Sequence, residues 1–159
     1  MPEDKSPAFR FLRRLVLAPY WRLSRGMLFG VRGLVLDDEG RVLLIRHSYT
    51  PGWYLPGGGV ERGETMRLAL DRELAEEALI EATAAPDLFA LYSNDATLRG
   101  DHVALFVVRA WRSLGDFKPT GEITGHNWFA PDALPDDATP GTRRRLDEVL
   151  AGAPVSEHW

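Results

Sequence analysis

The chain has 159 residues, 45% of them hydrophobic and 26% charged, the composition of one globular domain with enough apolar side chains for a sizeable core. It contains no cysteine, which excludes disulfides, thiolate-bound zinc and a cysteine nucleophile, and fits a reducing, cytoplasmic compartment. A net charge of -4 argues against a general DNA or RNA binder, because neutralising phosphates takes an excess of cations.

Charge is unevenly spread. Residues 1–26 carry six Lys/Arg against two acidic residues, a surplus of +4, leaving -8 on residues 27–159. Ala8 to Leu17 reads as a basic amphipathic helix ended by Pro19. Arg10, Arg13 and Arg14 interrupt its apolar run, so it matches neither a signal peptide nor a membrane span. This extension, residues 1–26, is expected to pack on the domain or on a second copy in a homodimer. The alternative is contact with an anionic membrane surface through its basic residues, Phe9, Phe11 and Trp21.

Residues 27–159 read as one domain. Met27–Leu36 and Arg41–His47 are β-branched or alternating, with Asp38-Glu39-Gly40 between them, which predicts a β-hairpin. A loop with Pro51, Gly52 and Pro56 leads to Gly57-Gly58-Gly59, too entropically costly for a helix interior. Thr65 is the predicted N-cap of a helix over Met66–Ala78, a stretch without Gly or Pro. Leu88–Ser93, His102–Trp111 and Ile123–Ala130 read as strands, Pro131–Leu134 as one helical turn. Thr142–Leu150 reads as a final helix with Leu146, Val149 and Leu150 on one face and Arg143, Arg144 and Arg145 towards solvent. This order predicts an α/β (α+β) domain, a mixed β-sheet sandwiched between helices.

Within the first helix of the domain, Glu73 precedes Glu76 and Glu77 by three and four residues, so the three carboxylates share one surface. Like charges at that spacing repel, and a cation relieves them; carboxylate oxygens suit hard ions such as Mg²⁺ or Mn²⁺. The glycine turn upstream lets backbone groups approach a metal or phosphate with no Cβ in the way.

Gly58, five residues, Glu64, seven residues, then Arg72-Glu73-Leu74-Ala75-Glu76-Glu77-Ala78 resembles the signature of the Nudix hydrolases, and Trp53 to Gly58 resembles the usual approach to it. The resemblance covers roughly residues 27–134. One position departs: Leu79 stands where the signature has glycine, while Ile80 fills the aliphatic position that follows. A leucine held in the left-handed conformation of such a helix end costs roughly 1–2 kcal/mol, so the end is expected to be remodelled, tilting the turn with Glu76 and Glu77.

The resemblance implies a Mg²⁺- or Mn²⁺-dependent hydrolase of a phosphoanhydride bond in a nucleoside diphosphate linked to another moiety. It implies that Glu73, Glu76 and Glu77 bind the metals, that Gly57 or Gly58 offers a backbone carbonyl, that Arg72 orients the glutamates and that Glu64 supports them. Glu122 is the candidate for a further acidic ligand. Glu73 or Glu76 is the expected general base, with Glu122 third. Arg46, His47, Tyr49 and Tyr54 adjoin the glycine turn, and Asn94, Arg99, Asp101 and His102 surround a later loop. From these sets Arg46, His47, Tyr54 and Arg99 are candidate contacts to a nucleotide-like small molecule. The alternatives are a Nudix-fold module that binds a nucleotide or protein without turnover, and an RNA 5′-end pyrophosphohydrolase.

Overall fold

A computed structural model describes residues 26–159; the basic helix expected over residues 8–17 lies outside them. The described elements run β1 (Leu28–Val35), β2 (Val42–His47), α1 (Met66–Ala78), β3 (Ile80–Ala82), β4 (Asp87–Ser93), β5 (Asp101–Val108), β6 (Trp111–Ser113), β7 (Ile123–Phe129) and α2 (Pro140–Leu150). Among the described residues no helix is long and apolar enough to cross a membrane.

The central strand is β5, whose run Val103–Val108 is buried throughout, as expected of a strand covered on both faces. It pairs in parallel with β1, Leu28 opposite Asp101, and antiparallel with β4, giving a mixed sheet. Side chains alternate along a strand. Ala104, Phe106 and Val108 join Leu70 and Leu74 of α1 in one core, while Leu105 and Val107 join Leu146 of α2 in another. The expected arrangement of mixed sheets with two helices is therefore present. Gly33 matters to it: a Cβ there would come within 3.0 Å of Leu74 Cδ2 and 3.2 Å of Leu70 Cδ1, so glycine lets α1 sit close on β1.

The expected hairpin is only a turn. β1 and β2 share a single bridge, Leu36 to Val42, and then diverge, because β1 pairs with β5 while β2 pairs antiparallel with β7. Parallel pairing with the apolar β5 buries more of β1 than a two-stranded ribbon would. The single strand expected over His102–Trp111 divides at Arg109-Ala110 into β5 and β6, and β6 pairs with the unforeseen β3. Pro131–Leu134 forms a turn rather than a helical turn. The last helix starts at Pro140, two residues early, with Thr139 capping it.

Arg145 also departs from expectation. It is fully buried, ion-paired with Glu148 at 2.7 Å, and its guanidinium stacks 4.0 Å over the Tyr92 ring. The Tyr92 hydroxyl donates to Glu148 at 2.7 Å and the Ser156 N–H at 3.0 Å. Burial first, and this bond second, raise the Tyr92 hydroxyl above its ordinary range. Residues 151–159 fold back over α2, Trp159 N–H donating to Ser93 O at 3.0 Å. Of the three arginines assigned to solvent, that segment buries Arg145, while Arg144 stays exposed as expected; Leu150, expected on the apolar face, is exposed.

The end of α1 is not remodelled. Leu79 is the one non-glycine residue among those described with positive φ, at φ 53° and ψ 42°, and its N–H caps Leu74 O. Bonds from outside the helix hold it: Leu114 N–H donates to Leu79 O at 2.8 Å, and His126 Nε2 lies 2.8 Å from Ala78 O. Replacing the side chain isolates the backbone cost. Leu79→Gly is expected to be more stable than Leu79→Ala by about 1 kcal/mol in urea unfolding; equal stability, or a more stable alanine variant, would show that no left-handed strain is held there.

Candidate active site

The glycine turn lies along the free edge of β1. Val31 N–H donates to Gly58 O at 2.9 Å, Gly33 N–H to Pro56 O at 2.8 Å and Val60 N–H to Phe29 O at 2.8 Å. Since α1 packs on the same strand over Gly33, turn and helix are brought face to face. A Cβ at Gly58 would fall 2.4 Å from Glu73 Oε1, and one at Gly57, where φ is 143°, 2.1 Å from Val31 O. The Gly57 N–H donates to Glu77 Oε2 at 2.9 Å. Both glycines are therefore required by close approach.

Arg72 gathers the surrounding acids. Its Nε and Nη2 donate to the two Glu64 oxygens at 3.1 Å each, its Nη1 to Glu73 Oε1 at 2.6 Å, and its Nη2 to Gly59 O at 3.0 Å. Glu76 Oε2 lies 3.5 Å from the same Nη1, on a side chain 62% exposed. The hydrogen bond from Arg72 holds the Glu64 carboxyl below its ordinary value, and those to Glu64 and Glu73 hold the guanidinium charged. Glu73 and Glu77 are buried and Glu76 is open to an incoming ligand.

Glu77 joins a second group. Its Oε1 lies 3.8 Å from His47 Nε2, and ligand atoms of His47, Glu77 and Glu122 all fall within 4.8 Å of one another. Burial pushes the Glu77 carboxyl up to about 7, against the Gly57 N–H and Arg32, which lower it. Burial and Arg32 push the His47 imidazole below its ordinary value. Arg32 was not among the expected site residues, yet it donates to Leu55 O at 3.0 Å and Gly57 O at 2.7 Å. A lone charge within the apolar strand β1 was the available signal. The Gly58 carbonyl is engaged by Val31 in the β1 pairing, and the Gly57 carbonyl by the Arg32 side chain.

The other candidates divide. Arg46 pairs with Asp137 and lies over the Trp53 ring. Tyr54 donates to Pro51 O at 2.9 Å, and His102 lies against Phe29. Arg99 stands exposed on the loop between β4 and β5. Asn94 Nδ2 donates to Asp101 Oδ2 at 2.7 Å. That pair lines a cleft of about 600 Å³ that runs from Gly58, Gly59 and Glu64 to Phe29 and Trp159. Arg32, Asn94 and Trp159 also border a neighbouring cleft of about 450 Å³ that includes Tyr54. Trp159 was unforeseen because its place depends on the irregular segment after α2.

Two buried carboxylates and a third exposed beside them form an all-oxygen donor set suited to a hard divalent cation, while the carbonyls expected to join them are engaged within the protein. The displaced Glu77 titration gives a measurable sign. With a chelator present, the unfolded carboxyl ionises near its ordinary value of 4.5 while the folded one holds its proton to about 7. The folded state binds the extra proton, so stability falls as pH rises from about 4.5 to about 7, on the order of 3 kcal/mol at about 1.4 kcal/mol per unit. Glu77→Gln is expected to flatten that slope in denaturation measured across the window; an unchanged slope would contradict the burial of Glu77.

A family model described as the NUDIX domain matches residues 28–149. The chain is 33% identical over 123 residues to a MutT-like protein of Streptomyces ambofaciens, covering 77% of each. It is 27% identical over 120 residues to a putative 8-oxo-dGTP diphosphatase of Bacillus subtilis (strain 168), covering 76% of this chain and 78% of the relative. Its fold matches the crystal structure of a MutT NUDIX hydrolase from Burkholderia pseudomallei with a TM-score of 0.64 and 27% identity, covering 77% of this chain and 98% of the other. With residues 28–149 matched and the carboxylate helix seated on the glycine turn, the chain belongs to the Nudix hydrolase family.

Proposed function

We propose that this Nudix pyrophosphohydrolase acts on a purine nucleoside triphosphate of the oxidised, 8-oxo-dGTP type, using Mg²⁺ or Mn²⁺ held by Glu73, Glu76 and Glu77. The reading is carried by one observation: the buried pair Glu73 and Glu77 meets the glycine turn, whose Gly58 and Gly59 line a cleft of about 600 Å³ together with Trp159. It is supported by the similarity to the putative 8-oxo-dGTP diphosphatase. The bound cation would neutralise phosphoryl oxygens and activate water.

The chain's own residues supply the rest. Arg72 fixes Glu73 and keeps its carboxylate turned to Gly58. Glu76, exposed beside Arg72, would take the proton as water adds to phosphorus and the bridging P–O bond breaks, giving nucleoside monophosphate and pyrophosphate. Arg32, between the two clefts, offers a cation to phosphate. The Trp159 ring is a stacking surface for a base. With its amide nitrogen tied to Asp101, Asn94 keeps an oxygen acceptor, which suits the N7–H that an 8-oxopurine has and an ordinary purine lacks.

The test is product analysis with 8-oxo-dGTP, dGTP, ADP-ribose, a nucleotide sugar and 5′-triphosphate RNA, each with Mg²⁺ and with Mn²⁺. The expected outcome is kcat/KM at least about tenfold higher for 8-oxo-dGTP than for dGTP, a gap of about 1.4 kcal/mol. Preference for ADP-ribose or RNA would overturn the substrate assignment. Glu76→Gln is expected to lower kcat by about a hundredfold or more; undiminished turnover would remove Glu76 from the site.

A further inference from the structure

We propose that His47 is a metal ligand, forming with Glu77 and Glu122 a nitrogen-containing subsite that favours a first-row transition ion such as Mn²⁺ over Mg²⁺. This rests on the reading of Glu77 as a metal ligand, and it adds a donor that the carboxylate helix cannot supply.

The imidazole is 7% exposed, yet its Nδ1 is buried with no hydrogen-bond partner among the described residues. The nitrogen that faces the carboxylates is the other one, so an ion held there would leave Nδ1 unpartnered, and the case for ligation rests on the geometry around Nε2. Its other nitrogen, Nε2, lies 3.8 Å from Glu77 Oε1, too far for a hydrogen bond. Two ligands on opposite sides of one cation stand about 4.2 Å apart when each bond is about 2.1 Å, and the three ligand atoms of this cluster lie within 4.8 Å of one another. The spacing fits an ion shared by the three side chains and leaves little for any direct contact.

The scaffold fixes each of them. The β2–β7 register shifts between Arg46 and His47, an irregularity of the kind that re-aims a side chain. Across it, Ser48 N–H donates to Glu122 O at 2.8 Å and Ser48 Oγ to Gly121 O at 2.7 Å, holding the loop of Glu122 beside the imidazole. The rings of Tyr49 and Tyr54, with centroids 4.9 Å and 5.7 Å from that of His47, restrain its rotation. Glu77 is held by Gly57 through Oε2, leaving Oε1 towards His47. Two carboxylates and a neutral imidazole match a divalent charge, and the imidazole nitrogen moves preference from the all-oxygen ions towards the transition series.

The experiment is pulsed EPR of the full chain loaded with Mn²⁺, which detects a directly bound ¹⁴N, with calorimetric titration of Mn²⁺ and Mg²⁺. Expected is nitrogen coupling from one imidazole, lost in His47→Gln and kept in His102→Gln. Mn²⁺ affinity is expected to fall at least about tenfold in His47→Gln, the loss that removing even an outer partner of a ligand causes, with Mg²⁺ affinity little changed. Mn²⁺ bound to the wild-type chain without nitrogen coupling would overturn the role of His47 while leaving the carboxylate site standing. No Mn²⁺ binding at all would overturn both.

Discussion

The absence of a side chain at Gly58 is the constraint on which the site depends. Only there can the Glu73 carboxylate lie against the backbone, since a Cβ would meet its Oε1 at 2.4 Å. One residue earlier, the Gly57 N–H fixes Glu77. These two contacts bind α1 to the turn along β1, and the missing Cβ of Gly33 lets Leu70 and Leu74 complete the approach. Burying two carboxylates on one helix face is unfavourable for folding. Arg72 offsets part of that through Glu73 and Glu64, but among the described residues no guanidinium bonds to Glu77. A local conflict of that kind, inside an otherwise consistent core, marks a place shaped by function.

The same trade recurs at the helix end. Leu79 occupies the left-handed region that glycine would enter freely, and the sheet pair β3–β6 and His126 secure it from outside. The turn that carries Glu76 and Glu77 therefore keeps its direction, and with it the reading of the chain as an enzyme rather than a binding module. On the opposite face, the Arg145–Glu148–Tyr92 network anchors the segment that brings Trp159 to the cleft. The glycine turn on which α1 is seated and the chain that follows α2 thus line one concavity.

Much of this was legible in the chain. Thr65 caps α1 as its hydroxyl suggested, α1 spans Met66–Ala78 as its helix formers indicated, and the spacing of Gly58, Glu64 and Arg72 to the glutamates pointed to the contacts observed. Local preference was readable where it acted within one element. What could not be read was pairing at a distance: β1 beside β5 in place of β2, the short β3 answering β6, and Arg145 buried under residues 151–159. Arg145 looked solvent-facing because nothing in the helical period reveals a partner that arrives from irregular chain. His47 and Glu122 are 75 positions apart in sequence, and only the β2–β7 register makes them neighbours.

The central claim is that the glycine turn and the α1 carboxylates form a divalent-metal centre. Anomalous diffraction from crystals soaked in Mn²⁺ tests it most directly. The account predicts manganese peaks within bonding distance of carboxylate oxygens of Glu73, Glu76 or Glu77. Manganese found only elsewhere, for instance at the acidic turn of Asp37, Asp38 and Glu39, would contradict it.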